Sequence, residues 1–184
     1  MDRFADVLAE HNLPSGIGGD LNLRDPRIRV ILATGELRLC DGPELVKTYR
    51  CITGSNHGDK EKEGDRKTPL GCFRVVYKNP QSKFHLSLGL NYPDESDAKR
   101  GLQTGLLTRE QYERLMDDLA HGDMNDPAVQ DRVWKTPLGG EIFIHGGAEG
   151  RDGTAGCMAL TNADIAELYP LCPVGTPVEI VESI

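Results

Sequence analysis

The feature that most constrains this chain is a change of hydrophobic period at residue 27. From Arg27 the stretch RIRVILATGELRLCDGPELVKTYRCITGS alternates apolar and polar residues, as strands with one buried face do. The turn signals ATGE and CDGPE divide it into three short strands. We therefore predict an antiparallel meander that begins near residue 27.

The residues before this point have a different period. MDRFADVLAEHNL places Phe4, Val7 and Leu8 at helical spacing, and the pattern ends at Pro14. We predict a short N-terminal helix within an extension and linker over residues 1–26, followed by one domain over residues 27–184.

The rest of the chain predicts further strands around an inserted helical segment. CFRVVYKN, EIFIHG and TPVEIVE have strand patterns, whereas residues 94–120 do not. Thr108 and Gln111 form a capping-box signature for one or two helices, and Thr161 with Asp164 can cap a last helix, NADIAELYPL. The predicted fold class is mainly β with this helical insertion.

Composition narrows the classes of function. The net charge of −8 and the pI near 5.1 disfavour nucleic acid, which clustered basic residues bind. No apolar run approaches the roughly 20 residues of a membrane span. The N-terminus has acidic residues where a secretory signal has basic ones, so we expect either a removed signal or a specialised export route.

The five cysteines are scattered and have no CxxC spacing, so we expect neither a zinc site nor a disulfide framework. Four of them, Cys40, Cys51, Cys72 and Cys172, are interpreted as small packing residues. We expect no metal and no organic cofactor, because the histidines and carboxylates are dispersed.

His145 and Cys157 are the candidate catalytic pair. A cysteine nucleophile needs an adjacent base, a group that orients the base, and donors for an oxyanion. His145 ends a predicted strand before Gly146 and Gly147, and Cys157 follows Gly156 and precedes a capped helix. Backbone amides around Ala155, Gly156 and Cys157 can form an oxyanion hole; alternatively, Cys157 is a small buried residue beside a glycine-rich turn.

The segment IHGG...GTAGCMALTNADIAELYPLCPVGTPVEI resembles the C-terminal half of the YkuD-type L,D-transpeptidase catalytic domain. DKEKEGDRKTPLGCFRV resembles that family's Thr-Pro-x-Gly segment, and NPQSKFHLSLGLNYPDESDA is similar to a subgroup with a helical insertion. The resemblance covers roughly residues 27 to 184. It implies a sandwich-like or barrel-like β fold.

The resemblance also implies roles for residues. Cys157 corresponds to the nucleophile, His145 to its general base, and the Gly146 carbonyl to the group that orients the imidazole. Thr154 holds the motif's hydroxyl position. The family commonly has His where Ala155 stands, and Arg or Asn just after the cysteine, where this chain has Met158 and Ala159.

Without that Arg, either another cation pairs with a substrate carboxylate or the acyl donor differs. The substitutes are Lys60, Arg66, Lys67 and Arg151, with a solvated charged surface as the alternative interpretation. Tyr92 is a further cleft candidate, with a core or rim position as its alternative.

The implied function is cysteine-dependent acyl transfer on peptidoglycan stem peptides that contain a diamino acid. The alternatives are a hydrolytic carboxypeptidase, endopeptidase or amidase, which includes release of a wall-attached protein, and a catalytically silent wall-binding or effector module. We expect a monomer in the bacterial envelope or periplasm, a location inferred from the substrate.

Overall fold

Eight strands and four helices make up residues 21–184, the part of the chain that this computed structural model describes. The strands are β1 (Pro26–Ile31), β2 (Glu36–Asp41), β3 (Glu44–Arg50), β4 (Gly71–Ser82), β5 (His85–Leu90), β6 (Phe143–His145), β7 (Met158–Ala159) and β8 (Pro177–Val181). The helices are α1 (Glu95–Gln103), α2 (Arg109–His121), α3 (Pro127–Trp134) and α4 (Asn162–Leu171). The predicted N-terminal helix lies outside the described residues.

All eight strands join one sheet in the order β3-β2-β1-β8-β4-β5-β6-β7. The antiparallel pairs β1 with β2 and β2 with β3 confirm the predicted meander. The last strand, β8, inserts between β1, which it meets in parallel, and β4, which it meets antiparallel. The C-terminal strand is therefore an interior strand that joins the N-terminal meander to β4.

Strand β4 joins the two halves of the sheet. Its residues 71–74 pair with β8, and its later residues, from Val75 on, pair with β5. The register with β5 shifts twice, and such irregularities bend a strand and increase its twist. The sheet consequently curls into a half-barrel, and the expected mainly β fold class is confirmed.

The larger hydrophobic core lies inside this curl, against α4. Thr161 accepts the Asp164 amide at 3.1 Å, so the predicted cap of α4 is confirmed. Core residues close to the candidate site are Ile142, Ile144, Met158, Leu160 and Ile165, each at most 2% exposed. Burying such side chains stabilises the fold by about 1.5–3 kcal/mol each, so these strand ends are rigid supports.

The helical insertion has its own core, centred on Leu115, Val133, Trp134 and Leu138. The Thr108–Gln111 capping box is confirmed, with amide-to-side-chain distances of 2.9 and 3.2 Å. The prediction of one or two helices over residues 94–120 is confirmed by α1 and α2. Helix α3 lies beyond that range and was not predicted; it has Asp126 as N-cap and Pro127 in its first turn. None of the helices within residues 21–184 has the length and hydropathy of a membrane span.

Candidate active site

The first half of the site lies where β6 ends. Ile144 enters the core, and His145, the last residue of the strand, projects to the opposite side. The His145 side chain is only 3% exposed, and its Nδ1 lies 2.6 Å from the Gly146 carbonyl oxygen. A carbonyl only accepts hydrogen bonds, so Nδ1 carries the proton and Nε2 is the basic nitrogen.

Position 146 requires glycine. A Cβ there would lie 2.5 Å from Asn162 Oδ1 and 2.7 Å from the Phe84 carbonyl oxygen. The Gly146 amide donates to that carbonyl at 3.1 Å, and the Gly147 amide donates to Asn162 Oδ1 at 2.9 Å. These bonds fix the carbonyl that orients the imidazole.

The second half of the site is the loop that leads to Cys157. Thr154 Oγ1 accepts the Gly156 amide at 3.0 Å and donates to the Cys157 carbonyl at 2.6 Å. Gly156 has φ +136°, and a Cβ there would lie 2.7 Å from the Lys67 carbonyl oxygen. The glycine before the cysteine is thus explained by a close backbone approach to the Lys67–Thr68 segment.

Strand pairing places the thiol and the imidazole on the same face of the sheet. In the parallel pair β6–β7, Ile144 lies opposite Met158 and His145 lies opposite Ala159. Ile144 and Met158 both enter the core. Cys157 immediately precedes Met158, so side-chain alternation directs it to the face of His145. Its Sγ donates to the Glu141 carbonyl at 3.3 Å.

Both groups are neutral near pH 7. Burial lowers the pKa of His145 below 6.5, although the hydrogen bond to Gly146 opposes the shift. Burial raises the pKa of the Cys157 thiol above 9.0, and a hydrogen bond from the Phe143 amide opposes it. The arrangement is therefore a thiol beside a neutral base, which must take the proton as the sulfur attacks.

A cavity of about 420 Å³ opens beside Cys157. Ala155, Glu141 and Ile142 line it near the sulfur, and Trp134 with Lys135 lines it from the end of α3. Lys60 and Glu63 complete the wall from the loop before β4. The thiol therefore borders an open space whose far wall belongs to the helical insertion.

Of the four predicted cations, only Lys60 lines this cavity, and it is not a solvated surface residue. Its side chain is 2% exposed, and Nζ lies 2.8 Å from Asp65 Oδ1 and 3.0 Å from the Lys62 carbonyl oxygen. A desolvated ammonium requires such partners, so the solvated-surface interpretation was wrong for Lys60.

The other three predicted cations point elsewhere. The Nε atoms of Arg66 and Arg151 donate to Ser55 Oγ at 2.7 Å and to the Gly147 carbonyl at 2.6 Å, respectively. Lys67 does not line this cavity, and its carbonyl packs closely against Gly156. Tyr92 is fully buried and its hydroxyl donates to the Leu138 carbonyl at 3.1 Å, a placement that favours the core alternative.

The predicted oxyanion amides differ in availability. The Gly156 amide is bonded to Thr154, which leaves it no free donor. Ala155 is exposed and lines the cavity. Neither the Ala155 amide nor the Cys157 amide has an acceptor within residues 21–184, so both are available donors, and the Cys157 amide belongs to the residue that carries the sulfur.

Sequence reasoning missed four residues near the site. Phe84 stacks on His145 with ring centroids 4.5 Å apart, and the Glu141 carbonyl accepts the thiol hydrogen bond. Lys135 and Trp134 line the cavity, and the buried Trp134 Nε1 has no acceptor among the described residues. The chain has a single Trp, a usable signal for an aromatic cavity wall; Phe84 and the Glu141 carbonyl give none.

A second groove, of about 670 Å³, lies along β3 and residues 51–55 and does not include Cys157. His57 is exposed at its edge. Among the remaining cysteines, Cys51 and Cys172 are buried as expected, whereas the interpretation of Cys72 as a packing residue was wrong because it is exposed on β4. Within residues 21–184 no His, Cys, Asp and Glu side chains cluster as metal ligands.

Comparison with known proteins identifies the class. The YkuD model, described as the L,D-transpeptidase catalytic domain, matches residues 25–180. The chain therefore belongs to the YkuD family of L,D-transpeptidase catalytic domains. No curated protein matches it.

Solved structures share the fold. Bd1075 of Bdellovibrio bacteriovorus superposes with a TM-score of 0.55 at 19% identity, over 88% of this chain and 49% of that protein. The helical cell shape determining protein Pgp2 of Campylobacter jejuni gives 0.53 at 21% identity, over 98% and 56%. An L,D-transpeptidase of Xylanimonas cellulosilytica gives 0.51 at 13%, over 98% and 70%. The chain spans about half the length of the first two proteins.

Proposed function

We propose that this domain catalyses cysteine-dependent acyl transfer on peptidoglycan stem peptides. One observation carries the proposal. A neutral imidazole, fixed by its own neighbouring carbonyl, shares a sheet face with a thiol that borders an open cavity. Family membership supplies the substrate class, because L,D-transpeptidase domains act on the cell wall.

In the proposed reaction, His145 Nε2 takes the proton from Cys157 Sγ as the sulfur attacks an amide carbonyl at an L-centre of the stem. The C–N bond breaks, the imidazolium returns the proton to the leaving amine, and a thioester forms. A second amine, from the diamino acid of a neighbouring stem, then displaces the sulfur. The Cys157 amide is the candidate donor to the oxyanion.

The cavity beside Cys157 is the candidate substrate site. Lys60 is committed to Asp65, whereas Lys135 is exposed and, among residues 21–184, pairs with Asp131 alone at 2.7 Å. An exposed pair of this kind is weak, so Lys135 can exchange Asp131 for a substrate carboxylate. We therefore propose that Lys135 is the cation that pairs with a substrate carboxylate, in place of the Arg that the family commonly has after the cysteine. Because the proposed substrate is the cell wall, we also propose a location in the bacterial envelope.

Covalent trapping tests the chemistry. Purified protein incubated with a carbapenem should gain the mass of one inhibitor molecule, at Cys157 by peptide mapping. Removing the base in His145→Gln should slow acylation by roughly 10²–10⁴-fold. An unshifted mass in the folded wild-type protein would contradict the proposal.

Product analysis distinguishes the reaction types. Muropeptides incubated with the protein should yield new cross-links between diamino acids. Shortened or released stems alone, or release of a wall-attached protein, would show a hydrolase, and unchanged muropeptides together with wall binding would show a silent module.

A further inference from the structure

Phe84, in the turn between β4 and β5, contacts the imidazole directly. Its ring is stacked on His145 with a centroid distance of 4.5 Å and an interplanar angle of 22°. Its amide donates to Ser82 Oγ at 3.1 Å, which holds the turn. The aromatic ring therefore covers one face of the candidate base and excludes water from it.

Phe84 also reaches the group that orients the base. Its carbonyl accepts the Gly146 amide at 3.1 Å, and the Gly146 carbonyl in turn accepts from His145 Nδ1 at 2.6 Å. A shift of the turn would move both the ring and the carbonyl. Phe84 thus acts on the imidazole in two ways: directly through its ring, and indirectly through the Gly146 peptide that its carbonyl holds.

Two cations lie against the Phe84 ring. Lys83 Nζ is 5.0 Å and Arg151 Cζ is 5.2 Å from its centroid, within the range of cation–π attraction. Arg151 is held there by its bond to the Gly147 carbonyl at 2.6 Å. Two positive charges close to the imidazole disfavour a second proton on it.

Among residues 21–184, the charged groups that act on the pKa of His145 are Arg151 and Lys83. The first carboxylate on the loop after β6, that of Glu149, accepts the Asn162 amide at 3.1 Å. From α4, Asn162 and Ile165 contact the Gly146 turn and are uncharged. From the segment before β7, the group on the same sheet face is the Cys157 thiol. Burial is the main cause of the lowered His145 pKa, and the charges of Arg151 and Lys83 lower it further.

We propose that Phe84, capped by Lys83 and Arg151, is a positioning residue that holds the His145 ring and keeps it in its neutral, proton-accepting form. The role as base rests on the proposed function. The protonation state of the His145 ring does not rest on the proposed function, so it can be measured independently.

The test is an NMR titration of the His145 ring in the full chain, with labelled histidine. The wild-type resonance should titrate below pH 6.5. Removing one charge in Arg151→Gln should raise the pKa of His145 by roughly 0.3–0.7. Phe84→Leu, which removes the stack and both cation contacts, should raise it more, and Arg151→Lys should restore most of the wild-type value.

The matched control is Arg114→Gln, which removes the same charge from an exposed ion pair with Glu110 on α2. It should leave the His145 titration unchanged. Equal titration of His145 in wild type, Arg151→Gln and Phe84→Leu would overturn the proposal, as would an equal rise in the Arg114 variant. If Phe84→Leu does not fold, the two Arg151 variants decide the result.

A kinetic readout separates this inference from the proposed function. If the carbapenem acylates Cys157, the acid limb of the acylation rate should move to higher pH in Arg151→Gln by the same shift. If nothing acylates Cys157 while the NMR shifts occur, the proposed function fails and the positioning role of Phe84 remains.

Discussion

The two halves of the candidate site are built in opposite ways. The base, His145, is almost completely buried under Phe84 and held by backbone bonds, whereas the nucleophile, Cys157, is half-buried and borders a cavity. The closed half depends on tight packing around glycine, and the open half depends on a loop supported by a buried ion pair. Under the proposed function, the substrate would therefore approach from the cysteine side.

The largest effect is expected at the open half. Cys157→Ala should reduce turnover by roughly 10⁴-fold or more, because the nucleophile is lost. The free energy of unfolding should change by less than about 1 kcal/mol, because the side chain is small and partly exposed. Muropeptide turnover and chemical denaturation measure the two quantities, and intact mass after carbapenem treatment should show no adduct. Cys72→Ala, at an exposed thiol on β4, is the control and should remain acylated.

The ion pair behind the cavity wall should matter most for stability. Lys60→Met leaves Asp65 buried without its cation and should cost about 3–5 kcal/mol in the free energy of unfolding. Lys47→Met is the control, because Lys47 and Glu167 form a more exposed pair worth about 1 kcal/mol or less. Equal losses in urea denaturation would show that burial of the Lys60 pair has no energetic consequence.

The closed half can be tested at its narrowest point. Gly146→Ala introduces a Cβ where only 2.5–2.7 Å is available to Asn162 and Phe84, and overpacking should cost about 1–3 kcal/mol. The same change should lower the acylation rate by moving the carbonyl that orients His145. Gly150→Asn, at a nearby glycine with open space and φ +73°, should leave both properties close to wild type.

Low pH should lower the free energy of unfolding through Asp65, by less than the substitutions above. Burial alone would raise the pKa of Asp65, but hydrogen bonds from Lys60 and from backbone amides lower it to about 2. A lowered pKa gives stability that is present above the ordinary value of 3.8 and is lost as the pH falls towards 2. The stability difference between wild type and Asp65→Asn should therefore shrink over this range. A constant difference would contradict the assignment.

Local signals allowed much of the fold to be predicted. Alternation and turn residues identified β1 to β3, and capping residues identified α2 and α4, because these patterns depend on near neighbours. Strand β5 was missed, although its HLSLGL sequence is buried from Leu86 onward. Strand β5 pairs with β4 along one edge and with β6 along the other, so it is an interior strand, and its burial pattern does not alternate. The parallel pairing of β8 with β1 joins strands about 150 residues apart, and no local pattern encodes it.

The candidate site was predicted unevenly for the same reason. Glycines around His145 and Cys157 mark close approaches, so those residues were identifiable. The burial of Lys60 depends on Asp65 and on Arg100 of α1, which donates to the Lys60 carbonyl at 3.0 Å. Phe84 lies about 60 residues before His145 in the chain. Such tertiary contacts determine which charges are buried and which aromatic ring covers the base.

The helical insertion leaves the sheet at Leu90 and returns at Phe143, and Gly89 and Phe143 are paired neighbours in adjacent antiparallel strands. Topologically, the 52 residues 91–142 replace a hairpin loop. A segment attached at two adjacent points can be lengthened, shortened or exchanged without altering the pairing of the strands that hold the cysteine and histidine. The topology thus allows the wall of the cavity that the insertion supplies to change while the strand pairing beside His145 and Cys157 is kept.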